Sequence, residues 1–190
     1  LLALALGAGV GAITGWLNNR LRIHPLILTF GMLSVLQGVI FVYTDRSVGL
    51  VSPGLRWLGD GAVVGVPVAA LLLAAISLGA AFLLHRTRFG HHLMAIGGSE
   101  ENARRAGSDA NRIKLIAFTL SGLSAGIAGI PLDGRRGTGY PNAGVGYELD
   151  AIVAVVLGGT ALAGGRGTIA GTVAAVLVLG VTSNLLNLLE

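Results

Sequence analysis

The sequence has no cysteine and one lysine, aromatic residues make up only 5% of it, and charged residues only 12%. Without cysteine there is no disulfide, no thiolate nucleophile and no thiolate metal ligand, and the redox compartment stays undetermined. A P-loop needs a lysine directly after its glycines to hold the β- and γ-phosphates. Lys114 follows no such pattern, so ATP hydrolysis is not expected of this chain. No metal site is expected either. His91 and His92 are adjacent and point to different sides of any regular element, and no carboxylate stands at ligand spacing. A soluble domain carries about twice this share of charge, so a water-soluble globular fold is a poor reading. The formal charge of +4 and the pI near 10.3 raise nucleic acid as a partner. The cations argue against it, because they fall in short loops between apolar runs and line no single face.

What is present is apolar surface and glycine. Hydrophobic residues make up 53%, mean hydropathy is +0.78, and there are 31 glycines, the composition of packed membrane helices. Six apolar stretches run roughly over 1–17, 26–43, 62–84, 115–132, 149–163 and 168–189, against the roughly 20 helical residues a bilayer core requires. The expected fold is all-α: a polytopic transmembrane bundle forming one membrane domain, in contact with lipid. The chain starts at Leu1 inside an apolar run, which reads as a piece of a longer protein truncated at its front. The fifth stretch is short and interrupted by Gly158 and Gly159. It reads as a half-helix or re-entrant element, with Glu148 and Asp150 at its start as cap and dipole partners and Gly164, Gly165, Arg166 and Gly167 in the loop after it. Its "GGTALAGGRG" loop lacks the lysine and the strand-turn-helix setting of a nucleotide site.

Loops 18–25 and 85–114 hold eight of the thirteen Lys and Arg, with two spans between them, so both belong on the cytoplasmic side. Loops 44–61 and 132–148 belong outside; the side reached by the last span is left open. Gly7, Gly11 and Gly15 repeat at four, as do Gly122 and Gly126, and Gly167 and Gly171, a spacing that lets helix backbones approach closely. Small neutral polar groups punctuate the spans: Thr29, Ser34, Gln37, Thr119, Ser121, Ser124, Asn184 and Asn187. They suit brief contacts with an uncharged polyhydroxylated solute, and equally hydrogen bonds between helices. Asn184, Asn187, Gln37 and Ser121 are the candidates for a translocation path.

One stretch is out of character with its apolar flanks: "GGSEENARRAGSDANRIK", residues 97–114. Ser99 is a good N-cap, Glu100 and Glu101 complement the positive end of a helix dipole, Arg104 and Arg105 the negative end, and Gly107 suits a left-handed stop. The pattern predicts a helix over about 100–106, too short to stand alone in water and too charged to be covered by lipid. It therefore needs a partner to pack against. An ordinary helical loop lying on lipid headgroups is the alternative.

Glu101-Asn102-Ala103-Arg104-Arg105-Ala106-Gly107 resembles the E-A-A-x-x-x-G loop of permease subunits in binding-protein-dependent ATP-binding-cassette (ABC) importers. The blocks "AIGGSEENARRAGSDANRIKL", "YPNAGVGYELDAIVAVVLGGTALAGGRGTIAGT" and "SNLLNLL" resemble, in order, those of the ribose-type monosaccharide permeases. Asn102 stands where that loop has its middle alanine, Leu185 where the ending usually has glycine, and "PLDGRRGTG" is more polar than the family pattern. The resemblance implies that the short helix, with Ser99, Glu100, Glu101, Ala103, Arg104, Arg105 and Gly107, docks into a cytoplasmic ABC ATPase. It implies a second permease subunit, an extracytoplasmic sugar-binding protein, and a place in the bacterial cytoplasmic membrane. ATP and Mg would be used by the ATPase, with no cofactor held here. A branched-chain amino acid permease and an ion-driven secondary carrier are the alternatives.

Overall fold

A computed structural model describes residues 1–49, 51–63 and 65–189. Among these residues the helices are α1 (Leu2–Leu21), α2 (Pro25–Tyr43), α3 (Pro53–Asp60), α4 (Val68–Arg86), α5 (Arg88–Gly98), α6 (Glu100–Arg105), α7 (Ala110–Arg136), α8 (Tyr147–Leu157) and α9 (Ile169–Leu189). One antiparallel hairpin, β1 (Ala62–Val63) with β2 (Val66–Pro67), lies between α3 and α4. The architecture is all-α and polytopic. Helices α2, α4, α7 and α9 are long and apolar enough to cross a membrane, with mean hydropathies of 1.8 to 2.3.

The distribution of exposure shows which solvent these helices are built for. Large apolar side chains point outward, as with Leu6, Ile13, Val35, Val42, Leu78 and Leu186, while the buried positions are mostly small: Gly11, Thr14, Gly15, Ala103, Ala110, Ala154 and Ala175. In water that inversion would leave the hydrophobic effect unused; in lipid, close backbone packing is what holds helices together.

The chain divides into two compact units. The first is Leu1–Leu73 with Asn111–Gly144, and the second is Ala74–Ala110 with the residues from Val145 onward. In the first, α1 and α7 run antiparallel along the glycines picked out by their spacing. A methyl added to Gly7 would overlap the Gly122 carbonyl, one on Gly11 the Phe118 carbonyl, and one on Gly126 would lie 2.9 Å from the Ala3 oxygen. The α1–α2 connection is only three residues long. Arg22 takes a left-handed φ of 53°, and the buried Asn18 donates its side-chain amide to the Ile23 carbonyl at 2.9 Å. At the opposite ends of α2 and α7, the two cation-poor loops are tied together. Val48 and Gly139 exchange backbone hydrogen bonds of 3.0 and 3.2 Å, and α3 lies against the end of α7 through Gly59 and Gly134.

In the second unit α8 and α9 form a hairpin. Gly158 carries almost no clearance: a Cβ there would sit 2.6 Å from the Thr172 backbone. Gly159, at φ 83°, completes the stop. Thr160 donates to the Val155 carbonyl and Gly159 to that of Val156 (3.1 and 2.9 Å), the paired bonds of a Schellman motif.

Several expected boundaries are corrected. The third apolar stretch was placed over 62–84, but Ala62–Val63 pairs with Val66–Pro67 in the hairpin and the helix starts at Val68. The span expected over 115–132 extends from Ala110 to Arg136, through Pro131. A proline removes one backbone donor, a small loss this close to a helix end, and the outer loop accordingly begins later than residue 132. The first helix outlasts its apolar run, with the Arg20 guanidinium over the Trp16 ring at 5.4 Å. The half-helix runs over Tyr147–Leu157, 11 residues, beginning two residues before the expected 149–163 and stopping well short of its end. Finally, Gly167 precedes α9 and faces the Thr160 side chain, so the Gly167/Gly171 repeat packs on the 158–160 turn and not on another helix.

Candidate functional site

The charged stretch that stood apart in the sequence is helix α6, and its ends are built as the residue types dictate. The Ser99 hydroxyl accepts from the Asn102 N–H at 3.3 Å. At the other end Gly107, at φ 85°, allows the chain to turn back. Ser108 donates to the Ala103 carbonyl at 2.9 Å and Gly107 to that of Arg104 at 3.0 Å, a second Schellman motif. Between the caps, Arg104 donates to Glu100 at 2.9 Å and Arg105 to Glu101 at 2.6 Å, both with the acid four residues N-terminal to the base, the favourable order. The Arg105 and Glu101 side chains are each 75% exposed, whereas Ala103 on the opposite face is buried. The helix thus has one face turned inward and a zwitterionic face turned out.

What covers the inner face is a correction. The interval 85–114 was expected to be a loop holding one short helix. It contains a longer helix as well, α5, so α6 has a packing partner inside its own chain. Thr87 starts α5 by accepting from the Gly90 N–H at 3.3 Å. Ser99 is at once the residue that ends α5 and the one that starts α6. The two adjacent histidines stand on α5 with different partners. His91 Nδ1 lies 2.8 Å from the Thr87 carbonyl, and His92 Nδ1 lies 2.6 Å from the Ser108 hydroxyl just beyond α6. A signal for α5 was present in Phe89, Leu93 and Ile96, spaced i, i+4, i+7.

The candidate path residues are divided between the two units. Gln37 on α2 donates to the Asn142 side chain at 2.9 Å, in the first unit. Ser121 is an exposed position on α7 in the same unit. Asn184 and Asn187, three residues apart and so on one helix face, are exposed near the end of α9 in the second unit. Most other hydroxyls in the spans bond to their own helix. Thr29 donates to Leu26, Ser34 to Phe30, Thr119 to Leu115 and Ser124 to Leu120 (2.8 to 3.2 Å). These four hydroxyls thus satisfy their donors within their own helices.

The half-helix is also assembled locally. Gly146, at φ 96°, is its N-cap, and Glu148 accepts from the Gly146 N–H at 2.9 Å; Asp150 lies in the first turn beside the positive end of the dipole. The following loop is closed by Ala161 donating to the Arg166 carbonyl at 3.0 Å and Gly164 donating to that of Ala161 at 2.9 Å. Gly164 and Gly165 rest on Gly97 and Gly98 of α5, so this loop lies beside α5, on the cation-rich side. Arg166 is exposed there. Among the described residues no group of three or more His, Asp and Glu is placed to hold a metal ion.

Comparison with known proteins identifies the family. The ribose import permease protein RbsC of Escherichia coli K12 is 45% identical over 98% of this chain, and that of Bacillus subtilis 42% identical over 92%. The L-arabinose transport system permease protein AraH of E. coli K12 is 40% identical over 94%. The chain spans 55 to 60% of the length of these relatives. No solved structure matches. A family profile described as the permease component of the branched-chain amino acid transport system matches residues 1–190. The chain therefore belongs to that permease family and is a multi-pass protein of the inner membrane.

Proposed function

We propose that this chain is the larger part of a permease subunit of an ABC importer, and that the importer carries a ribose-type monosaccharide inward. The observation that carries the reading is α6. It is a doubly capped helix on the cation-rich side, with Ala103 buried against its own chain and the charged Glu101–Arg105 face exposed. Such a face is not stabilised by lipid, and it is what a cytoplasmic protein partner recognises. In this reading the partner is an ATPase that uses ATP and Mg; a second permease subunit and an extracytoplasmic sugar-binding protein complete the transporter. The chain itself holds no cofactor and makes no lasting bond with the solute. Neutral side chains in the spans, Gln37, Ser121, Asn184 and Asn187, offer hydrogen bonds to sugar hydroxyls without trapping an ion.

Reversing the outer face, Arg104→Glu with Arg105→Glu, tests the docking. Co-purification of the ATPase with the membrane-inserted permease should be lost. Undiminished co-purification would show that α6 is not the handle. The second reading is a branched-chain amino acid, since the family profile carries that description. It is separated by competition: uptake of labelled ribose should be suppressed by excess unlabelled sugar and untouched by leucine.

A further inference from the structure

Two neighbouring glycines in the last turn of α5 have unlike surroundings. A methyl added to Gly97 would lie 2.5 Å from the Gly165 nitrogen, whereas one added to Gly98 would meet nothing within 4 Å. From the other side, methyls on Gly164 and Gly165 would lie 2.6 Å from the Gly97 oxygen and 2.9 Å from the Gly98 Cα. Gly164 and Gly165 hold φ values of 91° and 78°, where other residues are strained. Backbone thus lies directly on backbone, with no side chain between α5 and the loop that joins α8 to α9. Such a contact has no rotamer to relax, so displacement of one side is passed to the other.

The connection from α5 to α6 is equally short. Ser99 alone separates the helices, Ala103 is buried, and His92 on α5 is 2.6 Å from Ser108 beyond α6. We propose that α5, α6 and the 158–167 loop move as one body, so that a push on α6 is delivered through Gly97 to the foot of the α8–α9 hairpin. This rests on the reading of α6 as the helix that docks with the ATPase, and it adds the route by which the movement reaches a membrane hairpin.

Two measurements on the complete transporter test it. In the first, spin labels are placed on the exposed positions Asn102→Cys and Ala163→Cys, which have no native cysteine to compete within this chain. The distance between them should change by less than about 2 Å between nucleotide-free and ATP-trapped states, the size of ordinary helix adjustments. A change of a full helical turn, about 5 Å, would overturn the single body. In the second, Gly97→Ala is compared with Gly98→Ala, which alters the same helix without the clash. Gly97→Ala should retain ATPase association and basal hydrolysis while transport falls on the order of tenfold to a hundredfold, the scale of ångström misplacements elsewhere. Gly98→Ala should transport normally. If Gly97→Ala transports normally, the route is wrong and the docking of α6 still stands; if Gly97→Ala does not assemble, the label distance decides alone. Loss of the docking reading itself would show instead in the charge-reversed α6, through unchanged ATPase association.

Discussion

Removing the Ser99 hydroxyl should loosen α6 more than removing either of its ion pairs. The ranking follows from comparing magnitudes. Ser99→Ala deletes the hydroxyl that accepts from the Asn102 N–H, and loss of an N-cap costs about 1 kcal/mol. The ion pairs are shorter, but their side chains are 39 to 75% exposed. Exposed i,i+4 pairs are worth only about 0.3–0.5 kcal/mol and are screened by salt. At 25 °C, 1 kcal/mol of local opening free energy corresponds to about a fivefold rise in amide exchange, against about twofold for one ion pair. Hydrogen exchange read by mass spectrometry over 100–105 makes the comparison, with the pair energy taken from a Glu101→Gln/Arg105→Gln double-mutant cycle, which removes each residue's own interaction with the helix dipole. Gly107→Val should exceed both, because a β-branched residue at φ 85° adds about 1–2 kcal/mol of left-handed strain. Through that disorder it should make ATP hydrolysis less responsive to substrate. If the pair energy from that cycle exceeds the loss in Ser99→Ala, side-chain electrostatics and not capping holds α6, and the reasoning is refuted.

Two further expectations concern the membrane part. Gly11→Ala should lower the thermal stability of the solubilised protein by about 1–3 kcal/mol, the usual cost of overpacking, while Gly9→Ala, where a methyl meets nothing within 4 Å, should leave it unchanged; equal melting of the two would remove the α1–α7 contact. Gln37→Leu should cost about 1 kcal/mol by stranding the Asn142 amide, and adding Asn142→Leu should recover part of that loss, a non-additivity readable in a double-mutant cycle.

Where the sequence was readable, one residue type had one physical use. Serine before two acids, two arginines, then glycine can hardly be anything but a capped helix, and the observed 100–105 matches the expected 100–106 to within a residue. Glycines at every fourth position of α1 and α7 likewise meet each other as their spacing implied. Reading failed where identity was outweighed by context. Helix α5 contains Gly90, Gly97 and two histidines, which look like a loop. The glycines are there because Leu84 and Gly165 come too close to admit a side chain. Helix α3 is only eight residues and includes Gly54 and Gly59, and Gly59 is needed for contact with the end of α7. The run from Ala62 is apolar enough to pass for membrane helix, yet the turn at Gly65 (φ 80°) and Pro67 divert it into a hairpin. None of the four candidate path residues could be grouped from sequence, because hydrogen-bonding capacity alone does not tell which way a helix is rotated.

The clasp between Asn18 and Ile23 bears on how the protein is made. With three residues joining α1 to α2 and a buried amide fastening the bend, the two segments have no slack to reach the lipid one at a time. They are suited to enter it as a pre-bent pair while the ribosome is still extending the chain. Arg20 and Arg22 then stay behind with the bend, and hold it on the side of the membrane where cations collect.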